Sequence, residues 1–436
     1  MLKLNGQTVA ILGAGRSGLA AAKLALRCGA QVTVYDSRGA DVFVDFPAGI
    51  QIYPEATPAT GEAIKSDLVI TSPGIETLGE FVQAFAHNSG ALWGEIELAA
   101  QCYGGKIIGI TGTNGKTTTT ELVDVLTRAT GKTCAPCGNY GVPFCEIILS
   151  DEVPEVVALE LSSFQLETIV DFKPAAVIWL NFSADHMDRY EDLMAYFEAK
   201  QMIFKNIDAN TPVIVRAGET LLALPSFKGN LTTFSTEDDA DWTFDGESLL
   251  QNGAPYIRLN NTRLRGLHNA ENLMAACAVV EGLTPELAAS ALRDHAPPKH
   301  RCELVRIHDG VEWLNDSKAT NLHALESALR AQTRPTILIA GGKEKGLNYE
   351  SLLDLLEKKA IRAICFGEIG NKLSKIFSSS VISDTVATLK EAVLLAEKES
   401  SPGDTVLLSP GTSSFDQFSG YEARGDHFKS CVLELP

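Results

Sequence analysis

The stretch Ile107-Ile-Gly-Ile-Thr-Gly-Thr-Asn-Gly-Lys-Thr-Thr118 restricts this chain more than any other. An apolar strand over 107–110 runs into a glycine turn and then a helix beginning near Thr117. Gly112 and Gly115 let the backbone curl so that successive N–H groups face one anion, with Thr113, Asn114 and Thr118 lining the same turn. Lys116 adds a point charge for the β- and γ-phosphates, and Thr117 a hydroxyl for Mg²⁺. The positive end of the helix dipole lies behind the same spot. The spacing is Gly-x-x-Gly-Lys-Thr, because Ile110 stands where a longer phosphate-loop pattern has its first glycine. A plain strand–turn–helix junction has no use for the Lys-Thr pair, so the order of elements points to ATP.

At 436 residues the chain has length for two to four domains with real cores. A net charge of −18 argues against wrapping nucleic acid or sitting on an anionic membrane, and an anionic substrate would need a local basic site. No apolar run of about 18 residues occurs, so membrane insertion is not expected. The N-terminus leads straight into a strand without a signal-peptide core. The nine cysteines form no framework. Both features fit a reducing cytoplasm. Cys134-Ala-Pro-Cys137 is a lone C-x-x-C without redox or zinc context.

The expected fold class is α/β in three domains. Residues 1–96 read as a Rossmann-like domain, with strands over 7–12, 31–35 and 68–71. Gly13-Ala-Gly-Arg-Ser-Gly18 supplies a G-x-G-x-x-G between the first strand and its helix, and Asp36 ends the second strand. Alone, this suggests NAD. Ser72-Pro-Gly-Ile75 is a further turn at a strand's C-terminal end, where open α/β sheets bind ligands. Residues 97–296 read as a central P-loop ATPase-like domain: a helix over 93–102 leads in, strands 156–161 and 176–180 follow, and a small antiparallel sheet lies within 212–265. Pro297-Pro298 marks the next boundary and a hinge for closure. Residues 297–436 read as a C-terminal Rossmann-like α/β domain with strands near 311–314, 336–340, 361–366 and 405–408.

Several polar residues sit where these strands end. Glu160 closes an apolar strand, so it needs a cation: Mg²⁺ shared with Thr117, or a lysine. His186 is either a second metal's ligand or a capping residue. Lys200 lies on a helix with apolar neighbours; partly buried, it could act as a nucleophile or a phosphate clamp, and otherwise it snorkels. His300-Arg301 follows the double proline. Asn315-Asp-Ser-Lys-Ala-Thr-Asn321 packs polar groups between a strand and a helix; capping explains Asp316 and Ser317, but not Lys318 and Asn321 so readily. Gly341-Gly-Lys-Glu-Lys-Gly346 and Ser409-Pro-Gly-Thr-Ser-Ser-Phe-Asp416 are candidate anion-receiving loops suited to a carboxylate.

Taken together, the phosphate loop, Ser72-Pro-Gly74, Leu159-Glu-Leu-Ser-Ser-Phe-Gln165, His300-Arg301, 315–321 and 409–418 resemble the Mur ligases, the ATP-dependent amino-acid ligases of peptidoglycan precursor synthesis. The resemblance covers essentially the whole chain, and the first domain and the 409–418 segment are most similar to the D-glutamate-adding branch. It implies that the first domain holds UDP and not NAD, with Asp36 and Ser37 near uracil, Arg16 and Ser17 near the diphosphate, and Ser72 and Gly74 lining the pocket. It implies ATP contacts from Lys116, Asn269, Asn272, Arg301, Asp316, Lys318 and Thr320. Two Mg²⁺ sites are implied, one at Thr117 and Glu160 and one at His186 and a carbamylated Lys200. Asn139 and Ser162 would touch substrate, while Thr320, Lys345, Ser414 and Tyr421 would receive D-glutamate; Lys343 stands two residues from Lys345. Gly411-Thr412 and Tyr421 depart from the Ala-Cys or Ala-Ala and the Phe common in relatives. The implied partners are UDP-N-acetylmuramoyl-L-alanine and D-glutamate, and a monomer is expected. The implied catalytic set is Lys116, Glu160, His186, Lys200 and Arg301. A dehydrogenase would leave Lys116 idle, and a non-catalytic nucleotide switch has no use for the loops at 341–346 and 409–416.

Overall fold

Val9 and Ile11 face one core from the first strand while Ala10 and Leu12 face another. Both faces are buried, so the strand reads as a continuous apolar run instead of an alternation. The same holds in the last domain, where Ile337 and Ile339 join one core and Leu338 and Ala340 the other. Sheets covered on both sides by helices follow from this pattern. The computed structural model describes residues 2–436 except 188, 220, 222–228, 294 and 296–298. The proposed 296/297 boundary and the Pro297-Pro298 hinge therefore lie outside the described residues.

The described residues form three sheets. The first holds β1 (Thr8–Leu12), β2 (Gln31–Tyr35), β3 (Gln51–Tyr53), β4 (Leu68–Thr71) and β5 (Leu92–Gly94), all parallel, in the order β3-β2-β1-β4-β5. The order reverses between β1 and β4, and the glycine turn 13–18 and the 72–75 loop leave the strands at that point. Trp93 and Gly94 belong to β5, so the helix expected from residue 93 starts at Glu95.

The second sheet contains β6 (Lys106–Thr111), β7 (Cys134–Gly138), β8 (Val156–Glu160), β9 (Ala176–Trp179), β10 (Pro212–Arg216), β11 (Asn230–Phe234), β12 (Trp242–Phe244), β13 (Ser248–Gln251) and β14 (Ala254–Arg258). Its order is β14-β13-β12-β11-β10-β9-β6-β8-β7. The antiparallel strands expected within 212–265 are β12 to β14; they extend the central sheet and do not form one of their own, while β10 and β11 pair in parallel. Because Ile110 pairs with Glu160 and Thr111 with Trp179, three strand ends reach one edge.

The third sheet has β15 (Glu303–His308), β16 (Val311–Asn315), β17 (Thr336–Gly341), β18 (Ala360–Phe366), β19 (Ile382–Thr385) and β20 (Thr405–Leu408) in the order β15-β16-β20-β17-β18-β19. Only the β15–β16 pair is antiparallel. By contacts the chain forms two compact units, Met1–Arg258 with Glu271–Arg293, and Leu259–Ala270 with Asp294–Pro436. Asn272 thus belongs to the first unit and Asn269 to the second. Among the described residues no helix is long and apolar enough to cross a membrane.

Candidate active site

In the first unit the helix Lys116–Ala129 is capped by Gly115, which is left-handed with φ +84. A Cβ there would lie 2.3 Å from Asn272 Oδ1, so both conformation and space require glycine. The loop is braced from behind by the segment after β9. The Asn114 N–H donates to Asn181 Oδ1 at 2.9 Å, and the Thr113 N–H to the Asn181 carbonyl at 2.9 Å. Thr113 Oγ1 donates to the Ser183 carbonyl at 3.1 Å. Lys116 Nζ folds onto the loop, donating to the Gly112 and Thr113 carbonyls at 2.8 Å each. Thr117 and Thr118 are buried.

Glu160 is 3% exposed at the end of β8. Its Oε1 accepts from Asn139 Nδ2 at 2.8 Å, while its buried Oε2 has no hydrogen-bond partner. Lys200, 1% exposed, donates to the Gly112 carbonyl at 2.9 Å and stands 4.9 Å from the Tyr196 ring centroid. Burial, then the nearby Lys116 charge, drive its pKa well below the usual lysine value, against a weaker pull from Asp185 and Glu160. Lys116 and Lys200 therefore converge on one carbonyl beside Glu160. His186 projects from the same edge and is exposed, with φ +56. Among the described residues no three His, Cys, Asp or Glu side chains cluster as a metal site. A buried carboxylate oxygen without a hydrogen-bond partner suits Mg²⁺, which keeps water and takes phosphate oxygens as ligands. Ser162 caps the helix Ser163–Leu166, accepting from the Gln165 N–H at 3.3 Å, so its hydroxyl already has a structural task.

In the first domain Asp36 accepts from the Ala14 N–H at 2.7 Å and from Arg38 Nη2 at 2.7 Å and Nε at 2.8 Å. The Arg38 hydrogen bonds, chiefly, hold its pKa down at about 2. A carboxylate this occupied is poorly placed to take both hydroxyls of an NAD ribose. Ser37 and Gly74 are exposed and Ser17 half-buried, while Ser72 Oγ is buried without a hydrogen-bond partner. Arg16 reaches away from the glycine turn to donate to the Gly141 carbonyl at 2.9 Å, two residues from Asn139.

The second unit carries a separate constellation. His300 and Cys302 both have positive φ, 64° and 44°, so Arg301 sits between two strained residues. Asp316 is buried and accepts from Ser409 Oγ at 2.9 Å and the Cys302 N–H at 3.2 Å; burial pushes its pKa up to about 7. The Asn269 side chain donates to the Arg265 carbonyl at 2.9 Å. Lys318 Nζ lies 5.1 Å from the Tyr421 ring centroid, and Lys345 Nζ approaches the Thr320 carbonyl at 3.5 Å. Ser414 is buried nearby in sequence at the 409–416 loop. The Lys343 backbone pairs with the Ser413 carbonyl at 2.9 Å.

Sequence reasoning missed Arg424. Fully buried, it donates to Ser317 Oγ at 3.0 Å and to the carbonyls of Ser317, Thr412 and Gly341 at 2.8, 3.1 and 3.4 Å. One guanidinium thus fastens the loops after β16, β17 and β20, and burial lowers its pKa to about 10. Its only local signal is an arginine beside Gly425, where a Cβ would come within 2.2 Å of His300 Nδ1.

Comparison with known proteins agrees along the whole chain. Residues 110–280 match the Mur ligase middle domain, 300–411 the Mur ligase glutamate ligase domain, and 3–76 the C-terminal domain of alanine dehydrogenase/PNT. A UDP-N-acetylmuramoylalanine--D-glutamate ligase of Chlorobium chlorochromatii is 36% identical over 460 residues, covering 99% of each chain. One of Myxococcus xanthus is 37% identical over 456 residues, covering 100% of each. Among solved structures, the MurF ligase of Thermotoga maritima in complex with ADP matches with TM-score 0.63 at 16% identity, covering 99% of this chain and 96% of that one. The UDP-N-acetylmuramate-alanine ligase of the same organism matches with TM-score 0.62 at 17% identity, covering 98% and 99%.

Proposed function

The chain belongs to the Mur ligase family, and on that premise we propose that it joins D-glutamate to UDP-N-acetylmuramoyl-L-alanine with cleavage of ATP to ADP and phosphate. The observation that carries this reading is the edge where β6, β8 and β9 end: a phosphate loop, a buried carboxylate oxygen without a partner, and a buried lysine on the loop's own carbonyl. The domain limits 1–96, 97–296 and 297–436 are proposed with it.

A carboxylate is a poor acyl donor at neutral pH. In this reading the alanyl carboxylate attacks the γ-phosphate, ADP leaves, and the amine of D-glutamate then displaces phosphate from the acyl phosphate. Lys116 moves from the Gly112 and Thr113 carbonyls to the β- and γ-phosphates, and the loop N–H groups hold the chain of phosphates in line. Asn269, Asn272, Arg301, Asp316 and Lys318 are assigned to the nucleotide. Thr117 and Glu160 would hold one Mg²⁺, and His186 with Lys200 a second. Bound magnesium supplies neutralisation of charge on the transferred phosphoryl group. The depressed pKa of Lys200 keeps a share of its amine neutral and so able to take up CO₂, which turns a cation into a carboxylate-like ligand. Asn139 orients Glu160 and is assigned with Ser162 to the substrate. Arg16, Ser17, Asp36, Ser37, Ser72 and Gly74 are assigned to the UDP moiety, and Thr320, Lys345, Ser414 and Tyr421 to D-glutamate. The occupied state of Asp36 supports UDP over NAD.

Release of inorganic phosphate from ATP, measured with UDP-N-acetylmuramoyl-L-alanine and with or without D-glutamate, tests the reading. Phosphate release that depends on both, with a new amide product, is expected. Intact ATP in the presence of magnesium and both substrates would refute it.

A further inference from the structure

Two loops of the first unit that carry proposed substrate and metal residues are joined by a side chain that those assignments leave unused. The N–H groups of Arg189 and Tyr190 donate to the His186 carbonyl at 3.0 and 3.1 Å. His186 has φ +56, uncommon for a residue with a side chain. The Arg189 guanidinium leaves the turn. Its Nη1 donates to the Pro73 carbonyl at 3.3 Å and its Nη2 to the Ile75 carbonyl at 3.4 Å. Nη2 also pairs with Glu167 at 3.1 Å, and Cζ lies 3.8 Å from the Phe164 ring centroid. The same Phe164 ring meets the His186 ring edge-on at 4.9 Å, and the other Glu167 oxygen accepts the Tyr190 hydroxyl at 2.6 Å. Only 15% of the Arg189 side chain is exposed, so water competes little for these bonds.

The far end of the link matters as much. The 72–75 loop rests on the glycine turn of the first domain: the Ser72 N–H donates to the Leu12 carbonyl at 3.0 Å, and a Cβ on Gly13 would come within 2.9 Å of Ser72 Oγ. Arg189 therefore ties the wall of the nucleotide-sugar pocket to the turn that presents His186. Resting on the function proposed above, we infer that Arg189 is a positioning residue that fixes the separation of these two loops. It thereby sets where the acyl end of a bound nucleotide sugar falls against the phosphoryl group of ATP. A planar fork is needed, because one group must reach two carbonyls and a carboxylate while lying flat on an aromatic ring.

The test uses the full chain with Arg189→Ala and Arg189→Lys, assayed for phosphate release while each substrate is varied. For Arg189→Ala, kcat should fall by roughly tenfold to a hundredfold and KM for UDP-N-acetylmuramoyl-L-alanine should rise, since a small misplacement costs that much. KM for ATP should stay near wild type, while the thermal midpoint falls because the largely buried Glu167 loses its ion-pair partner. Guanidinium ion at low millimolar concentration should restore part of the Ala variant's activity, and lysine should not substitute. Equal changes in both KM values would reduce Arg189 to a structural role and overturn the inference. So would a fully active Ala variant or full rescue by lysine. An inactive wild type would instead remove the parent function, and this inference with it.

Discussion

Replacing Glu95 by glutamine should change how stability depends on pH more than it changes stability at any one pH. Glu95 is 3% exposed between the helices Glu95–Cys102 and Phe144–Leu149. Its Oε1 accepts from the Cys145 N–H at 2.5 Å, and its Oε2 is buried without a hydrogen-bond partner. Burial outweighs the opposing hydrogen bonding from Cys145 and Phe144 and lifts its pKa from 4.5 to about 7. An acid raised on folding has a definite sign. Below pH 4.5 both states are protonated and nothing is lost. Between 4.5 and about 7 the unfolded chain ionises while the folded one does not, so stability drains away as pH rises, and above 7 the loss is complete. At 1.36 kcal/mol per pH unit, the window from pH 5 to 8 should cost the wild type between about 2 and 3 kcal/mol relative to Glu95→Gln. A constant offset from the unpaired amide of glutamine cancels in this comparison. Urea unfolding should be followed by tryptophan fluorescence in a Trp313→Phe background, which leaves Trp93, Trp179 and Trp242 of the first unit as reporters. Parallel pH curves for the two proteins would refute the argument that burial governs this carboxyl.

Three further outcomes are expected. Glu160→Gln should keep the fold but raise the magnesium concentration needed for phosphate release by roughly ten- to a hundredfold, seen in a titration of the metal; an unchanged requirement would remove Glu160 from the metal. Lys200→Ala should lower phosphate release by at least about a hundredfold, and millimolar short-chain carboxylic acids should restore part of it; absence of any rescue would count against carbamylation. Arg424→Ala leaves Ser317, Thr412 and Gly341 without their donor and should destabilise the second unit by roughly 3 kcal/mol or more, read as a lowered urea midpoint of the buried Trp313. A midpoint unchanged within error would show those carbonyls to be satisfied by water.

The strands legible in the sequence are those with neighbours on both sides. β1, β2 and β4, β6, β8 and β9, and β16, β17, β18 and β20 lie inside their sheets, and burial on both faces writes them as apolar runs. β3, β5, β7, β15 and β19 escaped that reading, and each ends its sheet. β3 is exposed along its whole length and β15 has no fully buried residue, so neither needs an apolar run. The antiparallel extension after β11 was legible as strands but not as part of the central sheet, because its strands are short and nothing local says which sheet they join.

Local chemistry likewise fixed the phosphate loop, Glu160 at a strand end, and the polar turns after β16, β17 and β20. Each is a few residues in a row whose geometry the backbone enforces at short range. Which of them share an edge is a matter of strand order and register, and that emerged only with the sheets assembled. The arginines show the division most sharply. Arg189 and Arg424 donate largely to backbone carbonyls of segments remote in sequence, and a carbonyl looks the same at every residue. No pattern of residue types could have announced those bonds; the packing that brings the loops together made them.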